Sequence, residues 1–99
     1  MVYKVLLAPE AVEDLGGLRA YDRARVRDAI KRLGNDPTHV GRSRIKRLRG
    51  LQKPQYRLRV EEVRVFYDVI EGRDPRVEVL AIVSKGKAAE WLEREGLKS

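Results

Sequence analysis

Residues 56–70 read YRLRVEEVRVFYDVI, and apolar and basic side chains alternate through the first five of them. Because successive side chains of a β-strand point to opposite faces, Leu58 and Val60 share one face while Arg57 and Arg59 share the other. The β-branched and aromatic residues that follow predict a second strand. This stretch therefore predicts an antiparallel hairpin that gathers arginines on one surface.

A two-residue turn at Glu61 and Glu62 fixes the register of this hairpin. The predicted pairs are Val60 with Val63, Arg59 with Arg64, Leu58 with Val65 and Arg57 with Phe66. Three arginines and a phenylalanine then line one face of the sheet. Glutamate tolerates positive φ poorly, so a longer loop or a bulge is the alternative that would shift the pairing.

Outside the hairpin, apolar periodicity predicts further strands and helices. We expect a strand at 2–7, a helix from Pro9, a second helix capped by Asp22 with the apolar stripe Val26, Ala29, Ile30 and Leu33, strands at 55–60, 63–70 and 76–83, and a last helix at 86–95. The predicted core face of the sheet consists of Val63, Val65, Tyr67, Val69, Val77, Val79, Ala81 and Val83. The fold class is α+β: an N-terminal strand, a helical hairpin, a curled antiparallel sheet and a C-terminal helix, in one domain over residues 1–99.

The basic charge of the chain is concentrated in one segment. The whole net charge is +7, and residues 42–64 carry that entire excess, with nine basic residues against two acidic ones. The nine are Arg42, Arg44, Lys46, Arg47, Arg49, Lys53, Arg57, Arg59 and Arg64. Such clustering indicates a polyanionic partner, with nucleic acid first and an acidic protein second. A basic surface kept for solubility is the third interpretation, although solubility needs no clustering.

The composition excludes several classes of protein. Cysteine is absent, so disulfide scaffolds and thiolate zinc sites are excluded, and no apolar run approaches the roughly 18 residues of a membrane span. The start of the chain lacks the layout of a signal peptide. We therefore expect a cytoplasmic protein with no membrane partner, no metal and no cofactor.

The three arginines of the hairpin suit the binding of phosphate. Like charges directly opposite on a sheet destabilise it by about 0.2 to 1 kcal/mol, so pairing Arg59 with Arg64 favours an anion between them. Guanidinium groups bind phosphate oxygens in a bidentate manner and stabilise the charge that develops on a phosphorane. From the residues alone, the equal alternative is internal ion pairing, with Glu61, Glu62, Asp68 and Glu78 as the available carboxylates.

The order and spacing of several segments resemble the RelE/ParE superfamily of toxins from type II toxin-antitoxin systems. These segments are Tyr56-Arg57-Leu58-Arg59-Val60, Val63-Arg64-Val65-Phe66-Tyr67-Asp68-Val69, Val77-Glu78-Val79-Leu80-Ala81-Ile82-Val83, Tyr3-Lys4-Val5, Pro9-Glu10-Ala11 and Arg47-Leu48-Arg49-Gly50-Leu51. The resemblance runs along nearly the whole chain. It implies a microbial RNase fold whose RelE-like members cut messenger RNA on the ribosome by attack of the ribose 2′-hydroxyl on the adjacent phosphate, without metal.

The resemblance also implies roles for particular residues. Arg57 and Arg59 match the basic pair of the family, Arg64 matches its central arginine, and Lys85 falls near its basic residue after the last strand. RelE-like enzymes carry a tyrosine or histidine near the C-terminus, where this chain has lysines and Trp91, so Lys85 or Lys87 becomes the expected proton carrier and Trp91 a core anchor. The expected RNA contacts are Lys46, Arg47, Arg49, Lys53, Phe66 and Lys87.

Two further functions stay open at this stage. A ParE-like protein would inhibit DNA gyrase without nuclease activity, and a silent relative would only bind its antitoxin; fold alone does not separate them. In each case we expect a complex with an acidic antitoxin from an adjacent gene, and for the nuclease also contact with the ribosome and messenger RNA. We expect an acidic, amphipathic antitoxin segment to cover the arginines and the apolar strip Phe66, Leu80 and Ile82.

Overall fold

The computed structural model describes residues 2–41 and 44–98. Outside this description lie Met1, Arg42, Ser43 and Ser99, and Arg42 is one of the arginines of the basic segment. The elements are β1 (Lys4–Leu7), α1 (Pro9–Gly16), α2 (Ala20–Arg32), β2 (Ile45–Arg47), β3 (Leu51–Lys53), β4 (Tyr56–Val60), β5 (Val63–Ile70), β6 (Arg76–Ser84), a 3-10 turn (Lys85–Lys87), α3 (Ala88–Glu95) and β7 (Leu97–Lys98).

Five strands form one sheet in the order β1-β6-β5-β4-β2, and β3 pairs with β7 in a separate two-stranded sheet. β4, β5 and β6 are antiparallel neighbours, as predicted, whereas β1 runs parallel to β6. The predicted α+β fold is confirmed. The sequence analysis missed β2, β3 and β7, because strands of two or three residues are too short to show periodicity.

The hairpin of β4 and β5 has the predicted register, with Arg59 opposite Arg64 and Arg57 opposite Phe66. The alternative of a longer loop is not found. Glu61 instead takes a positive φ of 54°, a conformation that costs energy for a residue with a side chain. Interactions of its neighbours hold it there: its carboxylate forms an ion pair with Arg25 of α2, and its carbonyl accepts a hydrogen bond from Arg64.

The helical hairpin of α1 and α2 covers one face of the sheet. The predicted stripe of α2 is buried, with exposed fractions of 0% for Val26, 3% for Ala29, 4% for Ile30 and 2% for Leu33. The prediction that Asp22 caps α2 is wrong. The helix begins two residues earlier, at Ala20, so Asp22 lies in its first turn, where a carboxylate interacts favourably with the helix dipole and sits 3.9 Å from Arg19.

Arg23 joins the two helices. Its guanidinium donates hydrogen bonds to the carbonyls of Leu18 at 2.7 Å, Gly16 at 3.2 Å and Leu15 at 3.4 Å. Carbonyls at the end of a helix have no partner within the helix. Arg23 therefore closes the C-terminal end of α1 and fixes the angle between the helices.

A β-bulge divides β6 into two halves. Phe66 pairs with Ala81 and Tyr67 pairs with Val79, so Leu80 is an extra residue on β6. One extra residue reverses the alternation of side chains beyond it. Ile82 therefore enters the main core, 3% exposed, while Ala81 and Val83 turn to the opposite face. The prediction that placed Ala81 and Val83 on the main core face and Ile82 opposite is wrong for this reason.

A second apolar cluster lies on the face of the sheet opposite the helical hairpin. Phe66, Ala81 and Trp91 are buried there, and α3 covers them. The rings of Phe66 and Trp91 are stacked, with centroids 5.0 Å apart and planes at 9°. The indole nitrogen of Trp91 donates to the Glu10 carboxylate at 3.0 Å, which connects α3 to α1. The prediction that Trp91 is a core anchor is confirmed.

Candidate functional site

The hairpin places Arg57, Arg59 and Arg64 on the same face of the sheet as the second cluster, which we call the arginine face. The pairing of Arg59 with Arg64, and of Arg57 with Phe66, follows from the register, and Phe66 marks the face because α3 covers it. The main core occupies the other side of the same strands. Local strand geometry alone therefore brings the three cations together.

Arg64 is held in place by the turn next to it. Its side chain is buried, and its Nη1 donates to the carbonyl of Glu61 at 2.8 Å and to that of Val63 at 3.1 Å. Backbone carbonyls satisfy part of the guanidinium without neutralising its charge. Arg64 is thus a fixed cation with donors left for another acceptor.

Arg57 is half-buried, and its Nε is a buried atom for which the described residues provide no hydrogen-bond partner. Burial lowers the pKa of Arg57, and the charges of Arg64 and Arg59 lower it further. The group remains a cation at any physiological pH, because arginine does not lose its proton in proteins. The lowered pKa shows that the three guanidinium groups repel one another, a cost that an anion between them would remove.

Internal ion pairing does not neutralise Arg57 or Arg64. Within residues 2–41 and 44–98, no ion pair joins either side chain to a carboxylate. Three of the four carboxylates on which the alternative depended have other partners: Glu61 pairs with Arg25, Asp68 with Lys53 at 3.8 Å, and Glu78 with Arg76 at 2.8 Å. For Arg57 and Arg64, the described residues therefore favour binding of an external anion over internal ion pairing.

Lys85 and Lys87 lie in the 3-10 turn that follows β6, and both are exposed. The backbone N–H of Lys85 donates to the carbonyl of Glu62 at 2.7 Å. This bond ties the start of the 3-10 turn to the hairpin turn that holds Arg64. The two lysines therefore stand beside the arginine cluster, with side chains free to extend into solvent.

Of the two basic residues of β2 predicted to contact RNA, Lys46 shares the arginine face and Arg47 does not. Lys46 pairs with Arg57, whereas Arg47 pairs with Tyr56 and points to the opposite side of the sheet. There the Arg47 guanidinium lies 5.1 Å from the centre of the Tyr56 ring and donates to the carbonyl of Gln55 at 2.9 Å. The structure does not bring Arg47 to the cluster, because strand alternation separates it from Lys46.

Arg49 and Lys53 lie away from the three arginines. Arg49 is exposed in the turn between β2 and β3, beside an open groove of about 650 Å³. Lys53 approaches Asp68, which is four residues further along β5 than Arg64. These two residues extend the basic surface rather than complete the cluster.

Phe66, expected to contact RNA, has no exposed surface that RNA could reach. Trp91 covers one face of its ring, as the stacked rings show. The predicted apolar strip is also largely closed, because the bulge turns Ile82 into the main core and Leu80 is half-buried. The sequence could not reveal this, since neither the bulge nor the position of α3 has a signal in the strand pattern.

Sequence reasoning missed a groove between α2 and the hairpin, with a volume of about 700 Å³. Its lining includes Arg25, Arg32, Arg44 and Arg59, so it is continuous with the arginine cluster through Arg59. We call it the α2 groove. Arg25 and Arg32 lie on α2, and only tertiary packing brings them beside β4. Over the described residues, no group of three or more His, Asp and Glu side chains could hold a metal ion, and no helix has the length and apolarity to cross a membrane.

In fold, the chain is similar to a RelBE2 toxin-antitoxin complex of Mycobacterium tuberculosis, with a TM-score of 0.70 and 25% identity over 85% of this chain and 99% of that one. It is similar to a mutant of the toxin RelE of E. coli in the free state, with a TM-score of 0.69 and 21% identity over 94% of this chain and 93% of that one.

An archaeal RelE-RelB complex from Pyrococcus horikoshii gives a TM-score of 0.62 at 21% identity, over 88% of this chain and 99% of that one. Comparison with curated proteins gave no match. In sequence, the family described as the ParE toxin of the type II toxin-antitoxin system parDE matches residues 5–89. Since this match covers most of the chain and the fold agrees with RelE, the protein belongs to the RelE/ParE superfamily of type II toxins.

Proposed function

We propose that this toxin is a metal-independent endoribonuclease that cuts messenger RNA on the ribosome and so inhibits translation. The observation that carries the proposal is Arg57, a half-buried cation beside Arg59 and Arg64 whose pKa is lowered and whose buried Nε has no hydrogen-bond partner among the described residues. A scissile phosphate would supply the missing negative charge. Its charge rises in the transition state, so the cluster would stabilise that state more than the substrate.

In the proposed reaction, the ribose 2′-oxygen attacks the adjacent phosphorus and the bond from phosphorus to the 5′-oxygen breaks. The products are a 2′,3′-cyclic phosphate and a free 5′-hydroxyl. Arg57, Arg59 and Arg64 hold the phosphate oxygens. Lys85 or Lys87 takes the proton of the 2′-hydroxyl or delivers one to the 5′-oxygen, which their position beside the turn at Glu62 supports.

The proposed partners follow from the same surface. Lys46, Arg49, Lys53 and Lys87 would contact RNA around the cluster, all of them exposed. Arg47 would contact RNA only along the opposite side of β2, and Phe66 is left out because it is buried. The matched complexes of RelB with RelE support an antitoxin partner, which we propose to be an acidic protein from an adjacent gene in the same cytoplasm.

The test is to add the purified chain to ribosomes carrying a defined messenger RNA and to map the ends by primer extension. Cleavage with 2′,3′-cyclic phosphate ends is the expected result, and the variant Arg57→Ala should cut at least about tenfold more slowly. Lys31→Ala is the matched control, since Lys31 is exposed on α2 and away from the hairpin. Intact messages at a toxin concentration that stops growth would reject the nuclease.

The family match to ParE supports a second candidate, a gyrase inhibitor that cleaves no RNA. Expression would then induce the SOS response and trap gyrase on DNA, while messages stay intact. The two candidates are separated by measuring message integrity and gyrase-DNA complexes in the same culture within minutes of induction. The silent relative, a third possibility, would leave both readouts and growth unchanged.

A further inference from the structure

A cavity of about 320 Å³ opens onto the main core at the free edge of the sheet. Its apolar lining consists of Ala29 from α2, Leu33 directly after α2, Ile45 from β2 and Leu58 from β4. Asp36 and His39 also line it, and the Asp36 carboxylate lies 3.8 Å from the His39 ring nitrogen. Three of the apolar side chains are almost fully buried: Ala29, Leu33 and Leu58 are 3%, 2% and 3% exposed. A cavity of about 150 Å³ holds one benzene-sized group, so this one has room for roughly two aliphatic side chains.

Two arginines stand at this cavity and also line the α2 groove. Arg32 and Arg44 belong to both linings, so the apolar cavity and the α2 groove are continuous. Both side chains are exposed, and within residues 2–41 and 44–98 neither forms an ion pair. The surface thus combines an apolar floor with two cations that have no carboxylate partner.

We propose that this cavity is the anchor site for the antitoxin, which inserts apolar side chains between α2 and β2 and places carboxylates on Arg32 and Arg44. An amphipathic acidic segment presents apolar residues on one side and acidic residues beside them, which complements this surface. The identity of the occupant as an antitoxin rests on the proposed function. The apolar strip of the arginine face cannot serve as the anchor, because Phe66 and Ile82 are buried.

RNA is the less suitable occupant of this cavity. Proteins hold single-stranded RNA with aromatic stacking platforms, and no Phe, Tyr or Trp is among the described residues that line the cavity. From this anchor the bound segment would continue along the α2 groove as far as Arg59. A partner seated at the edge of the sheet would therefore reach the arginine cluster without displacing α3.

The experiment uses the full chain and the acidic protein encoded beside it, with the dissociation constant measured by titration calorimetry. Reversal of both arginines, Arg32→Glu with Arg44→Glu, should weaken binding by at least about tenfold. The matched control is Arg27→Glu with Lys31→Glu, which changes two exposed cations of α2 outside the cavity lining and should change binding less than about twofold. Each variant is first checked for a native circular dichroism spectrum.

A second variant tests the apolar floor separately. Ala29→Met fills the cavity from within and should weaken binding by a similar factor; Ala29→Val replaces it if the larger side chain prevents folding. Unchanged affinity in the reversed and the filled variants would overturn the proposal, as would the absence of any complex with the wild type. So would a case in which the reversal weakens binding of a 20-nucleotide single-stranded RNA and leaves the protein partner unaffected.

The nuclease and the anchor can fail independently. If the chain cuts no RNA but the reversal still releases the partner, the anchor stands and the proposed function falls. If the chain cuts RNA and the reversal leaves partner binding intact, the proposed function stands and the anchor falls.

Discussion

Asp68 of β5 and Arg57, which pairs with Phe66 two residues away on the same strand, respond to burial in opposite ways. At Asp68, burial raises the pKa of the carboxyl, while a hydrogen bond from the Gln55 backbone at 2.7 Å and the ammonium of Lys53 lower it again. At Arg57, opposite the same strand, burial lowers the pKa and both neighbouring arginines lower it further. Hydrogen bonding and the charge of Lys53 partly offset the burial of Asp68, whereas the charges beside Arg57 add to the cost of burying it. An external anion is therefore expected at Arg57 rather than a cation at Asp68.

The largest expected effect comes from removing the fixed cation, Arg64. Arg64→Ala should lower RNA cleavage or toxicity by at least about tenfold, because one positioned charge stabilises the transition state by a few kcal/mol. Stability should fall only by about 1 kcal/mol, the usual loss for hydrogen bonds such as those to Glu61 and Val63. Cleavage rate and thermal melting check this together, and full activity at normal melting would contradict it.

The second prediction concerns Arg57 and tests whether its burial lowers the stability of the fold. Arg57→Met should lower cleavage by at least about tenfold yet raise the melting temperature by a few degrees, because it removes a half-buried cation that has no carboxylate partner. Met keeps much of the length and apolar volume of the side chain. A variant that is both less active and less stable would show instead that Arg57 stabilises the fold.

Added inorganic phosphate should show whether the arginine cluster binds an anion in the wild type. Inorganic phosphate that binds the folded state stabilises it by about 1.4 kcal/mol at ten times its Kd. We expect phosphate to raise the melting temperature of the wild type and of Asp68→Asn, but not that of Arg64→Ala. Matching ionic strength with sodium chloride is the control. Equal shifts in the three proteins would show that phosphate acts through general salt effects.

The smallest expected effect is at Asp68, and it depends on pH. Burial raises the pKa of Asp68, so its ionised form costs stability above that pKa and the cost disappears as pH falls through it. Asp68→Asn does not titrate and should be more stable than the wild type at pH 7, with the difference shrinking toward pH 4. Urea unfolding of the pair at several pH values measures this. A difference that stays constant with pH would contradict it.

Much of the fold and part of the site follow from residues 56–70. Alternation and a two-residue turn were enough to pair Arg59 with Arg64, and the stripe on α2 was buried as predicted. The sequence did not predict the features that depend on contacts between distant segments. Ala29 and Ile45 meet across a cavity, Arg25 reaches the hairpin turn, and Trp91 closes over Phe66. None of these contacts leaves a periodic pattern in the chain.

The extra residue at Leu80 also determines where this chain can change in length. Deleting Leu80 would remove the bulge and restore regular alternation while leaving Ala81 opposite Phe66 and Ile82 opposite Val65, so both cores would keep their present side chains. The turn between β5 and β6, at 71–75, is largely exposed, so losing or gaining a residue there leaves both cores intact. Insertions and deletions among related chains should therefore collect in that turn and at Leu80.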